Sequence, residues 1–139
     1  MNQKTKFALG GGGYCLYAPS FPRWQESPGF SDGVLISNAI VDPLYHLGVI
    51  EDGMPHSLTC VERKQENGAA ILTYKGERSL KVTERRFLTT DDRFVSQLQL
   101  HHEGKGEREL TIVMWTWTDP EGEAPSLEGD SFRVKRGLV

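Results

Sequence analysis

The sequence predicts an all-β fold, an antiparallel β-sandwich that stands alone or forms part of a larger super-sandwich. Three observations carry this. The apolar runs are short, rich in β-branched and aromatic residues, and separated by turn compositions at close intervals. The segment 94–101 alternates, with Leu98 and Leu100 on one face and Gln97, Gln99 and His101 on the other. The longest apolar run, 110–118, holds Thr111, Ile112, Val113, Thr116 and Thr118, whose branched Cβ atoms disfavour a helix.

Taken in chain order, residues 1–13 read as a flexible lead ending in Gly10, Gly11, Gly12 and Gly13, which let the backbone turn or approach another segment closely, and 14–139 as a single sandwich domain. Residues 19–30 hold three prolines together with Phe21, Trp24 and Phe30, a composition suited to an ordered loop whose aromatics pin it to the sandwich. Strands follow at 34–41, 44–50, 57–63, 69–74, 80–88, 94–101, 109–118 and 131–135. Turns lie between them at Asp42-Pro43, Asp52-Gly53-Met54-Pro55, Glu66-Asn67-Gly68, Lys75-Gly76-Glu77, Thr90-Asp91-Asp92-Arg93 and Glu103-Gly104-Lys105-Gly106. Gly, Asn and Asp tolerate left-handed backbone there, and Pro fixes φ. Because it is apolar on both faces, 110–118 is expected near the centre of the domain or in an interface.

Length and charge exclude several function classes. The 139 residues suit one domain with one core. A formal net charge of −3 opposes nonspecific nucleic-acid binding, which needs a basic face to displace counterions from phosphates. No run reaches the roughly 20 apolar residues of a membrane-spanning helix, and the polar start carries no apolar stretch long enough for a signal peptide. A cytoplasmic protein without membrane or nucleic-acid partners is expected. Cys15 and Cys60 sit in apolar stretches and are read as unpaired, buried thiols.

Few residues carry a chemical signature. After the glycine run comes Tyr14-Cys15-Leu16-Tyr17, which lacks the Lys-Ser/Thr ending of a phosphate loop, so no nucleotide or other cofactor is expected. His46, His56, His101 and His102 show no metal-ligand spacing, and the adjacent pair would face opposite ways in a strand. Glu84, Asp91, Asp92, Glu103, Glu107, Glu109, Asp119 and Glu121 are placed in turns or on solvated faces rather than in a catalytic pair. No catalytic residue is assigned. Arg63, Arg85 and Arg86 could meet an anion, while Trp24, Trp115 and Trp117 offer flat faces for a ring-shaped ligand. Packing of the strand tryptophans in the core or an interface is the competing reading. The candidate ligand-binding set is therefore Trp24, Trp115, Trp117 and Arg86.

From Leu72-Thr73-Tyr74-Lys75-Gly76 through Leu80-Lys81-Val82-Thr83-Glu84-Arg85-Arg86-Phe87-Leu88, Asp91-Asp92-Arg93-Phe94-Val95 and Leu98-Gln99-Leu100 to Arg108-Glu109-Leu110-Thr111, the order of residues resembles a known module. It is similar to the N-terminal β-sandwich of glycoside hydrolases and phosphorylases with an (α/α)6 catalytic barrel, of the cellobiose phosphorylase-like and glycogen-debranching-like kinds. Gly12-Gly13-Tyr14-Cys15-Leu16-Tyr17 is similar to the start of several such proteins. The resemblance covers about a third of the chain and carries over no catalytic residue. It implies a non-catalytic module that packs against a catalytic domain, shapes a saccharide site or mediates assembly. Unpaired edges of a half-sized sandwich lead to the expectation of a homo-oligomer. The alternatives are a stand-alone saccharide or small-ligand binder, and a mutarotase- or epimerase-like enzyme, which would need a His and a carboxylate converging in one cleft.

Overall fold

The structure, a computed structural model, describes residues 8–17, 27–31, 33–41, 43–116, 126–129 and 131–133. Among them there is no helix, and every strand pairing is antiparallel. The first sheet joins β1 (Leu9–Gly10), β2 (Cys15–Tyr17), β3 (Val34–Ile36) and β4 (Ala39–Val41) in sequence order. A second, longer sheet holds β7 (Thr59–Glu66), β8 (Ala69–Lys75), β9 (Leu80–Leu88) and β10 (Phe94–His102), again as sequential neighbours. The third runs β11 (Thr111–Trp115), β5 (His46–Glu51), β6 (Met54–Pro55). A ribbon of β12 (Ser126–Glu128) and β13 (Ser131–Arg133) completes the described strands.

The second sheet shows how its sequence selects its faces. Register places Tyr74, Val82 and Leu100 in one row and Leu72, Glu84 and Leu98 in the next, all on the inner face. Thr73, Thr83 and Gln99, and Ile71, Arg85 and Gln97, fall on the other. A period-two pattern thus buries one face and wets the other. The inner face meets Leu9, Tyr17, Phe30 and Val34 from the first sheet and its loop, and Val49 from the third, in a single core. Phe30 is the hub of that contact. Its ring stands edge-on to Tyr17, Tyr45 and Phe94, with centroids 4.8, 5.6 and 5.1 Å away. The loop aromatic Phe30 therefore does pin its loop, as its composition suggested, whereas Phe21 and Trp24 lie outside the described residues.

Two hairpins follow directly from turn chemistry. Asp52-Gly53 and Asn67-Gly68 both hold positive φ at each position, the two-residue turn whose twist matches that of paired strands. Four expectations need correction. Residues 34–41 form two strands, because Ser37 at φ 54° turns the chain back after Ile36. Part of the expected lead is sheet: Leu9 is in the core and pairs with Tyr17. Glu84 is fully buried rather than solvated, because charged and neutral donors surround its carboxylate. β11, expected near the centre of the domain or in an interface, is an edge strand among the described residues with Ile112, Met114 and Trp115 exposed, which overturns the central position alone.

The glycine run has a structural task. The Asp92 carboxylate accepts hydrogen bonds from the backbone N–H groups of Gly13, Tyr14 and Cys15, at 3.3, 3.3 and 3.2 Å. Side chains at Gly11 and Gly12 would collide with Asp92 and with the Thr90 carbonyl. Bare backbone is what lets the first hairpin close over the β9–β10 turn.

Candidate binding pocket

A cavity of about 370 Å³ opens where the third sheet meets the loop before β3. That is within the size range of small-molecule sites. Its base is β5, which contributes His46, Leu47, Gly48 and Val49. β11 runs alongside with Trp115 opposite His46. The Trp115 ring lies across Gly48, where an added Cβ would stand only 2.5 Å from Cζ3. Glycine thus provides the flat backbone on which the indole rests. The residue remains 52% exposed, so Trp115 is open to a ligand at the cavity.

Ser27 and Pro28 make the opposite wall, and backbone bonds on both residues hold it. Leu47 N–H donates to the Pro28 carbonyl at 2.8 Å, and Arg86 Nη2 donates to the Ser27 carbonyl at 2.7 Å. Beside them Gly29 N–H donates to Glu84 Oε1 at 2.8 Å. Behind this wall Arg86 and Glu84 form a fully buried ion pair at 2.9 Å. The Tyr74 hydroxyl accepts from Arg86 at 2.7 Å and donates to Glu84 at 3.1 Å, and Tyr17 accepts a further Arg86 bond at 2.9 Å. Burial alone would lower the Arg86 pKa, but Tyr74, Glu84 and Tyr17 more than offset that and keep it well above its ordinary value. The guanidinium is a permanent cation locked into the core.

The third side is Pro55, His56 and Leu58. His56 Nε2 lies 3.0 Å from Glu51 Oε2, and Nδ1 is sealed from solvent with no partner among the described residues. Glu51 is also clamped by Arg108, whose Nε and Nη2 donate to its two oxygens at 2.7 and 2.8 Å, and by Arg78 at 3.3 Å. Arg108, then His56 and Arg78, hold the Glu51 carboxyl at a pKa of about 2 against burial, which acts to raise it. An ionised Glu51 is an obligate acceptor, so His56 Nε2 carries the proton of this pair. A His and a carboxylate do therefore meet, but Glu51 is committed to arginine and only His56 of the two lines the cavity.

Of the sequence-derived candidates, Trp115 lines the cavity. Arg86 stands behind its wall, completely buried. Trp24 and Trp117 lie outside the described residues. Arg63, Arg85 and Arg86 do not converge, since Arg85 is on the exposed face of β9 with Gln97 and over the Phe87 ring. Among the described residues no group of three or more His, Cys, Asp or Glu is placed to hold a metal ion, and Cys15 and Cys60, expected buried, are half-buried and not joined in a disulfide. Ser27, Pro28, His46 and His56 are among the pocket residues that sequence reading did not single out as ligand contacts. They come from three separate segments, and only the pairing of β5 with β11 and the docking of the Pro28 loop bring them together.

Comparison of the chain with protein-family models, with curated proteins and with solved structures found no match.

Proposed function

We propose that this chain is a non-catalytic binding module that holds a neutral, ring-shaped ligand of saccharide type in the cavity beside Trp115. The observation that carries this is the half-exposed Trp115, its ring packed against Gly48, at a cavity whose lining is otherwise Ser, Pro, His, Leu, Gly and Val. Apolar walls with few polar groups, plus one aromatic face, suit a molecule with an apolar ring face and hydroxyls at its rim. Among the described residues no Asp, Glu, Lys or Arg lines the cavity, which favours a neutral ligand over an acid or a phosphate. The sequence resemblance to modules of carbohydrate-active enzymes supports the same ligand class.

Calorimetric titration of the chain and of Trp115→Ala with methyl pyranosides of glucose, galactose and mannose tests the reading. Binding of at least one glycoside, weakened about tenfold or more by the substitution, is expected from loss of the stacking face. Equal binding by both proteins, or none by the unsubstituted chain, would overturn it.

A further inference from the structure

Resting on that reading, we infer that Ser27 and His46 form the hydroxyl-recognising element of the pocket and set its preference for a saccharide over a plain apolar ring. Ser27 Oγ lies 2.8 Å from His46 Nδ1, and both residues line the cavity. The other polar side chains of the lining are accounted for differently. His56 gives Nε2 to Glu51 and has Nδ1 sealed from solvent, and the indole N–H of Trp115 can only donate. A serine hydroxyl held by an imidazole is another matter. Whichever of the two donates to the other, Oγ keeps hydrogen-bonding capacity for a ligand hydroxyl, itself both donor and acceptor.

The wall is held through the Ser27 main chain, while the side chain hydrogen-bonds to His46. The residue anchors the wall through its main-chain carbonyl, which accepts from Arg86 Nη2 and from Ser31 Oγ. The wall bond of Pro28 is likewise a backbone bond, to Leu47. Removing Oγ therefore leaves the wall in place and takes away only the polar group facing His46. Mutual placement of the pair is set by strand register on one side, where His46 sits opposite Trp115, and by the buried Arg86 on the other.

Ser27→Ala and His46→Phe, titrated against the methyl pyranoside that the unsubstituted chain binds best and against phenol as an apolar ring, test this. Each substitution is expected to weaken the glycoside about fivefold or more, the scale of one neutral hydrogen bond, while phenol binds unchanged or more tightly. Trp115→Ala, run in parallel, is expected to weaken both ligands. If Ser27→Ala and His46→Phe hold the glycoside within twofold while Trp115→Ala loses it, the hydroxyl-recognising role is wrong and the binding pocket stands. If Trp115→Ala also keeps the glycoside, the pocket assignment itself is wrong. Circular dichroism of each variant separates loss of contact from loss of fold. Should His46→Phe fail to fold, Ser27→Ala alone decides.

Discussion

Arg86 shows how a single residue can matter to a site it does not touch. A cation without a partner would be costly in a core, yet this one has Glu84, Tyr17, Tyr74 and the Ser27 carbonyl around it. Replacing it with methionine leaves Glu84 buried with its counter-charge removed. Urea unfolding of Arg86→Met is expected to show a loss of about 3–5 kcal/mol, the range for breaking one side of a buried pair. A loss below about 1 kcal/mol would mean that the pair contributes no more than an exposed one. Glu51 makes the complementary case near the surface. Its folded pKa of about 2 lies below the ordinary 4.5, so its contribution to stability is present above about 4.5 and is lost as pH falls toward 2. The stability gap between the unsubstituted chain and Glu51→Gln, measured by urea midpoints, is therefore expected to be constant from pH 7 to 5 and to close between 4.5 and 2. A gap that does not change over that window would contradict the clamp by Arg108. Arg86 was legible as a residue with chemical capacity, but its burial was not. Sequence spacing shows that Glu84 and Arg86 share a strand face, and not that Tyr17, 67 or more positions away in the chain, closes the cage from another sheet.

At the scale of elements, turn chemistry was the clearest text. Asp52-Gly53 and Asn67-Gly68, expected within longer turns, close two-residue hairpins, with Met54 and Pro55 already in β6, and β10 spans the residues whose alternation predicted it. The hairpin at Ser37-Asn38 was not legible, because neither residue is glycine and the flanking apolar runs join into one apparent strand. β11 misled for a different reason. An apolar run on both faces usually means a central strand, but here Trp115 covers Gly48 at the rim of a cavity while Ile112 and Met114 stay exposed. The glycine run was read as the end of a lead whose bare backbone could turn or approach another segment closely, and Gly11 and Gly12 do lie against Asp92 and Thr90. In Asp92→Ala, amide hydrogen exchange at Gly13, Tyr14 and Cys15 is expected to rise about tenfold or more through local opening, with Tyr74 and Val82 keeping their protection. Unchanged exchange at those three amides would show that the carboxylate does not hold the first hairpin in place.

Across the whole molecule, three sheets converge on one core and leave a cavity at the seam between the third sheet and the Pro28 loop. The seam explains why the site was only partly readable. Trp115 stood out by residue type, but its partners Ser27, His46 and His56 carry no shared motif and meet only through strand pairing and backbone anchoring of the loop. The Glu84–Arg86 pair and the Glu51–Arg108 clamp both stand behind the lining, so charge fixes the walls while no Asp, Glu, Lys or Arg among the described residues lines the cavity. The central claim is that this cavity is where a saccharide ring binds. Amide and indole chemical shifts, followed by two-dimensional NMR during titration with a methyl pyranoside, test it most directly. Shifts confined to Ser27, His46, Leu47, Gly48, Val49, Leu58 and the Trp115 indole are the predicted result. Saturating shifts on another face, or a spectrum that does not change at millimolar glycoside, would contradict the claim.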